Sequence, residues 1–248
     1  MAKDLFSKQA AGYAQYRPTY PRELFDHILS FVSAKHTAWD CATGNGQAAV
    51  ELAGSFDKVM ATDISEKQLQ QSIPHERIVY AVCAAEHTSF DNNLFDCITV
   101  AQAYHWFNFD AFHKEVVRVA KPGAVIAVWG YSLVQGEDAG IQQFIETFYR
   151  EEVGPYWDAE RKHVDAHYAS VSFPYDPLPG KEFKIEVQWS LPQLTGYLNT
   201  WSSVQHYIKA KGYNPVDQIA EVLSAAWKGA DVKRFYFPLF LRLGKILK

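Results

Sequence analysis

The residues with the most evident chemical use lie in the stretch WDCATGNGQAA, residues 39–49, where an apolar segment ends at Asp40 and the chain turns through Gly44 and Gly46 into a helix-forming run. Glycine lacks a Cβ, so such a turn takes unusual backbone angles and lets a ligand approach the main chain, while the following helix start offers N–H groups with no intrahelical partner. Gly44, Gly46 and Ala49 also satisfy the G-x-G-x-x-G/A spacing of a dinucleotide site. Charge separates the candidate ligands. Asp40 stands at the strand end, where a pyrophosphate would rest, and two anions there repel.

S-Adenosylmethionine brings an ammonium and a sulfonium to such a turn, so a carboxylate beside the glycines favours it over NAD. A second acid, Asp63, closes the apolar VMATD segment, a position from which a carboxylate accepts hydrogen bonds from both hydroxyls of a ribose. The alternative for Asp63 is to cap the next helix, a task for which Ser65 competes.

These residues need a frame that holds them. Short apolar runs alternate with helix-like stretches from residue 37 to 130, the pattern of a parallel sheet with crossover helices. Strands are expected at residues 38–41, 58–63, 78–82, 95–100 and 124–129. Helical stretches are expected at 47–53, 66–71 and 111–119, the last carrying Phe112, Val116 and Val119 on one stripe and ending at Lys121-Pro122-Gly123. Upstream, Pro21 starts a helix with Leu24, Ile28, Leu29 and Val32 on its apolar face. Downstream, helices are expected at 141–153, 193–209 and 216–227. Strands at 184–191 and 235–243 would form an antiparallel edge.

Together these segments resemble the class I S-adenosylmethionine-dependent methyltransferases, and within them the trans-aconitate methyltransferase-like group. The matching motifs run in order: DCATGNGQ at 40–47, with Ala42 where many members have glycine; ATDIS ending at Ser65; CAAEHTSF at 83–90; AQAYHWF at 101–107. The opening residues 6–21 and TWSSVQ at 200–205 resemble the group as well. The resemblance spans nearly the whole chain. It implies a doubly wound, mostly parallel, seven-stranded Rossmann-like sheet with an antiparallel edge and a helical cap insertion. The expected organisation is one domain: an N-terminal lid and helix at 1–36, the cofactor-binding core at 37–130, the cap at 131–182, and C-terminal strands and helices at 183–248.

The resemblance also implies the site. Arg17, Asp40, Ala42, Thr43, Gly44, Gly46, Asp63, Ile64, Gln68, Ala85, Glu86, Ala101 and Gln102 are the expected S-adenosylmethionine contacts. Tyr13, Tyr16 and Tyr20 cluster about Arg17 in a segment implied to fold over the cofactor mouth. Arg17 there pairs with a carboxylate of cofactor or substrate, or else makes a surface salt bridge. Methyl transfer from a sulfonium is an in-line displacement, so the protein must mainly align the reacting groups and exclude water, with no metal required. A carboxylate acceptor is ionised at pH 7 and needs no base, whereas a phenol or amine calls for one. His105 is the candidate catalytic residue and, with Tyr16, Tyr20, Trp106, Trp129 and Trp201, a candidate substrate contact; packing at the strand–helix junction is its other reading. Tyr131 is a further candidate wall of the acceptor pocket.

Composition narrows the rest. The 248 residues are 48% hydrophobic and 21% charged, with 24 basic against 28 acidic side chains, which excludes a disordered chain and gives no basic footprint for nucleic acid. No run of 18 apolar residues and no signal-like segment after Lys3 and Lys8 point to a cytoplasmic protein, away from membranes, acting as a monomer or homodimer on a small-molecule acceptor. Cys41, Cys83 and Cys97 lack C-x-x-C spacing and are expected as reduced core residues. His163 and His167 have the spacing of a helical metal pair but no H-E-x-x-H motif, so a solvated helix face is expected. Two rivals remain at this level: an NAD-dependent oxidoreductase built on the glycine turn, and a non-catalytic S-adenosylmethionine-binding protein.

Overall fold

The computed structural model describes residues 16–227 and 229–248. The opening helix α1 (Arg22–Leu29) buries Leu24, Phe25, Ile28 and Leu29, the face expected from their spacing. It leads into β1 (Thr37–Cys41), α2 (Gln47–Ala53), β2 (Lys58–Asp63), the short α3 (Glu66–Leu69) and β3 (Ile78–Val82). β4 (Phe95–Ala101) follows, then a 3-10 turn at Tyr104–Trp106, α4 (Phe109–Val119) and β5 (Ala120–Tyr131). The strands β1 to β5 pair in parallel in the order β3-β2-β1-β4-β5.

Strand periodicity explains how the sheet buries both faces. Ala38, Cys97, Val125 and Ala127 point into one core with Leu24, Ile28 and Leu52 from α1 and α2. Their neighbours Trp39, Ile98, Ile126 and Val128 point into the other, against Phe112, Val116 and Val119 of α4. The chain runs β1 to β2 to β3 in one direction, then crosses to β4 and β5. The carboxyl ends of β1 and β4 therefore flank the switch point where open α/β sheets leave a crevice for ligands.

Residues 131–182 carry a two-residue strand β6 (Gln135–Gly136), α5 (Ala139–Thr147), α6 (Arg161–Asp165) and a two-residue strand β7 (Asp176–Pro177). The expected continuous helix over 141–153 is instead α5 followed by a π-turn, Phe148–Glu152. Then come β8 (Phe183–Trp189), α7 (Leu191–Asn199), α8 (Ser202–Lys211), α9 (Pro215–Trp227) and β9 (Lys233–Lys245). β9 pairs antiparallel with both β5 and β8, sharing Leu239 between the two, so it lies between them. Seven strands of five or more residues thus form the expected mostly parallel sheet with an antiparallel edge; β6 and β7 add short pairings to β9. The fold is a mixed α/β, Rossmann-like one.

The single helix expected over 193–209 is two, broken at Thr200 and Trp201. The carbonyls that the break leaves exposed are taken by side chains from elsewhere. Arg17 Nη2 donates to the Thr200 carbonyl at 3.3 Å, and Gln205 Nε2 donates to that of Asn199 at 2.9 Å. No helix among the described residues is long and apolar enough to cross a membrane.

Candidate active site

The glycine turn sits on two carboxylates. Asp40, at the end of β1, is 1% exposed, and its Oδ1 accepts a hydrogen bond from Thr99 on β4 at 2.8 Å while Oδ2 accepts one from Thr43. Burial pushes its carboxyl pKa up to about 6, against the opposing pull of the Thr43 and Thr99 hydroxyls. Asp40, expected as a cofactor contact, is buried, and its hydrogen-bond partner Thr43 lines the neighbouring recess. Asp63, at the end of β2, accepts from the Gly44 amide at 2.9 Å and from the Ser65 amide at 2.8 Å. Ser65 is the cap of α3, its hydroxyl accepting from Gln68 N, so the capping alternative for Asp63 falls away.

Local backbone geometry accounts for the glycines. Gly44 and Gly46 both have positive φ, +58° and +86°. A Cβ on Gly44 would meet nothing within 4 Å, which leaves its main chain open to a ligand, whereas one on Gly46 would strike the Tyr80 ring. Ala42 also sits in the left-handed region, φ 54°, as does Gln102, φ 54°, just beyond β4. Two non-glycine residues in this conformation at the switch point are a local concentration of strain of the sort found around ligand sites.

Three adjoining recesses open over these strand ends. The first is walled by Ala42, Ile64, Ala85 and Phe107, with the carboxylates of Asp63 and Glu86 at its polar side and the Cys83 thiol and Trp106 completing it. Its apolar walls and two acids have the chemistry an adenosine calls for, an apolar face for a base and carboxylates for ribose hydroxyls. Glu86 Oε1 also accepts from the Asn108 amide at 2.9 Å, tying this wall to the start of α4. The second recess shares Ala42 and runs past Thr43, Gly44 and Ala101 to Arg17 and Tyr20. Its lining is more polar and includes the main chain of the glycine turn. The third shares Arg17 with the second and Trp106 with the first, and adds His105, Arg161, Tyr197 and Trp201. Gln102, Trp157, Asp158 and Ser202 complete its lining.

Arg17 thus stands at the junction of the second and third recesses. Its guanidinium donates to the Tyr131 hydroxyl and lies over the Tyr197 ring, 5.4 Å from the centroid. Arg161, on α6, donates through Nε to the Tyr149 hydroxyl at 2.9 Å and to Asp165 at 3.2 Å, and stacks on Trp157 at 4.7 Å. His105 is buried, its Nδ1 lying 3.0 Å from the Tyr168 hydroxyl. Burial, with the nearby charges of Arg161 and His163, pushes its imidazole pKa down to about 3. The ring is therefore neutral at any physiological pH.

Other expected contacts stand apart from the recesses. Trp129 is wholly buried, packed edge-on against Tyr20 at 5.5 Å and Phe25 at 5.8 Å, because strand alternation turns it into the core with Val125 and Ala127. Gln68 is buried in α3, and Tyr16 packs over Gly196 of α7. Tyr13 lies outside the described residues. Cys41 and Cys97 are core thiols, but Cys83, one residue past the end of β3, lies on the first recess rather than in the expected core position. His163 and His167 do not share a helix: α6 ends at Asp165, and each imidazole meets a serine, Ser170 and Ser132. The described residues hold no group of three or more His, Cys, Asp or Glu arranged for a metal. Sequence reading missed Arg161, Trp157 and Asp158; the available signal was a lone arginine following an aromatic pair in GPYWDAER.

Comparison with known proteins bears on this geometry. A methyltransferase domain family matches residues 39–128, the segment that holds the glycine turn, Asp63 and Glu86. A Dictyostelium discoideum protein named as a methyltransferase is 31% identical over 98% of this chain and 95% of its own length. A structure from Anaeromyxobacter dehalogenans, assigned as a type II methyltransferase, superposes with a TM-score of 0.86 at 37% identity, covering 94% of this chain and 99% of that one. The phosphoethanolamine N-methyltransferase 2 of Haemonchus contortus, solved with S-adenosylhomocysteine, shares the fold at 14% identity and a TM-score of 0.51, covering 100% of this chain and 60% of that one. The chain belongs to the class I S-adenosylmethionine-dependent methyltransferases. S-Adenosylmethionine is its cofactor, and the oxidoreductase and non-catalytic readings fall away.

Proposed function

We propose that the chain transfers a methyl group to a small carboxylic acid, as in the trans-aconitate methyltransferase-like group. The observation that carries this reading is the pair of guanidinium groups, Arg17 and Arg161, lining one recess next to the first one. Planar guanidinium forks suit carboxylates, each capable of a bidentate pairing. S-Adenosylmethionine, when bound, supplies an electrophilic methyl on sulfur. The chain's own residues supply the rest. Asp63, Gly44 and the walls of the first two recesses hold the cofactor. Arg17, reaching both the second and third recesses, links the cofactor's tail to the acceptor and orients one carboxylate of it.

The neutral state of His105 supports the same reading. An imidazole whose pKa lies near 3 is too weak a base to strip a phenol or an ammonium, and a carboxylate needs no such help. Trp106, Trp157 and Trp201 line the same recess, keeping water from the attacking oxygen. A free small acid, a cytoplasmic setting and a monomer or homodimer complete the proposal; the near-balanced charge argues against a nucleic-acid acceptor.

The test is calorimetric. Di- and tricarboxylic acids titrated into protein saturated with S-adenosylhomocysteine are expected to bind at least tenfold more tightly than their amides. Equal affinity for acids and amides would remove the guanidinium pair from the account.

A further inference from the structure

We infer that Tyr168 fixes the tautomer of His105, so that the ring offers an Nε2–H donor to the third recess; this rests on reading that recess as the acceptor site. Tyr168 acts as a positioning residue, with no contact of its own to the reacting atoms.

The geometry leaves little choice of proton placement. Tyr168 is wholly buried, held by ring contacts to Tyr104 and Phe240, both at 5.2 Å, and through its carbonyl, which accepts from Arg242 Nη1 at 2.6 Å. Tyr168 and His167 both adopt positive φ, 58° and 50°, a sharp local turn after α6 that brings the Tyr168 ring inward. Its phenolic oxygen lies 3.0 Å from His105 Nδ1. A buried hydroxyl directs its proton to an acceptor, and burial raises the Tyr168 pKa so that the proton stays. His105 Nδ1 is the acceptor within hydrogen-bond distance of this hydroxyl, so the O–H donates to Nδ1. A neutral imidazole has one donor and one acceptor nitrogen, so Nε2 carries the ring proton.

The consequence concerns selection. His105 lines the recess with Arg17 and Arg161, so a neutral donor joins two cationic ones. Asp158, an acceptor on that wall, is engaged by the Ser202 hydroxyl at 3.0 Å. A wall so rich in donors holds an anionic oxygen and leaves an amine or a protonated hydroxyl poorly matched.

Nitrogen-detected NMR of histidine-labelled, ligand-free protein tests the assignment directly. The expected His105 signature is a protonated Nε2 and an unprotonated Nδ1, unchanged from pH 8 to pH 5, with Arg161 and His163 the charged and titratable groups acting on the ring. In Tyr168→Phe, the protonated-Nδ1 form is expected to appear, and KM for the acid acceptor to rise about tenfold with S-adenosylhomocysteine affinity unchanged. A protonated Nδ1 in the wild type, or an unaltered tautomer in Tyr168→Phe, overturns the proposal. Should Tyr168→Phe fail to fold, His105→Gln and His105→Leu replace it: the glutamine amide restores a donor and should hold the acid acceptor at least fivefold better, whereas equal loss in both overturns the donor role. Because the NMR needs no acceptor, an intact tautomer in a protein that binds no acid isolates failure of the acceptor reading from failure of this one.

Discussion

The carboxylate of Asp63 accepts the amide hydrogen of Gly44 at 2.9 Å, which ties the end of β2 to the glycine turn after β1, the edge proposed to hold the cofactor. Its other oxygen takes the Ser65 amide. Charged acceptors bonded in this way stabilise a loop by about 1.5–3 kcal/mol each. Asp63→Ala is expected to lower S-adenosylhomocysteine affinity by about 100-fold, because the turn loosens and the ribose loses its acceptor together. Calorimetry on a variant shown to be folded checks this; an unchanged dissociation constant counts against both roles.

Ala42 holds a conformation that favours glycine, with φ 54°. A left-handed backbone costs a residue with Cβ about 1–2 kcal/mol, part of which glycine returns as unfolded-state entropy. Ala42→Gly is therefore expected to raise stability by up to about 1 kcal/mol while cofactor affinity stays within about threefold. Denaturant unfolding measures it; a destabilised Ala42→Gly contradicts the strain assigned to this position. Gly46→Ala should do the reverse. Its Cβ meets Tyr80 and its φ is 86°, so a loss of about 1–3 kcal/mol is expected.

The raised pKa of Asp40 has a pH consequence whose sign is fixed. Its carboxyl holds a proton more tightly in the folded, ligand-free protein than in the unfolded chain, about 6 against 3.8. Its contribution to stability is fully present below about pH 4 and is lost as pH rises through about 6, amounting to about 3 kcal/mol. A cationic cofactor above it favours the ionised form. S-Adenosylmethionine affinity should therefore climb from pH 5 to pH 7 with proton release on binding near pH 6, and Asp40→Asn should flatten the climb. Titration in buffers of different ionisation heat reads the proton count directly.

The two arginines are expected to part company on mutation. Arg161 lines only the third recess, whereas Arg17 lines the second and third. Arg161→Gln should raise KM for an acid acceptor by about 10- to 100-fold, the scale of one lost charge-assisted pair, and leave S-adenosylhomocysteine binding alone. Arg17→Gln should weaken both. Steady-state kinetics beside calorimetry separates the two patterns.

What could be read in advance follows from which interactions are local. β2 and β3 lie where their apolar runs predict, and α2 starts where the glycines end, because these elements answer to periodicity and turn chemistry. The break at Thr200 was not legible, because it depends on Arg17 and Gln205 taking carbonyls that an unbroken helix would use. Trp129 was legible in principle: it shares a strand face with Val125 and Ala127, and that alternation sends it to the core. Arg161 could not be singled out from RKHVD alone, since its place is set by the rings of Tyr149 and Trp157 in the folded chain.

The most direct measurement of the central claim is transfer of a labelled methyl group from S-adenosylmethionine to a panel of small carboxylic acids, phenols and amines. The account predicts label in a base-labile methyl ester of an acid carrying two or more carboxylates, abolished when that acid is replaced by its amide. Label that appears only in a base-stable ether or methylamine would contradict it.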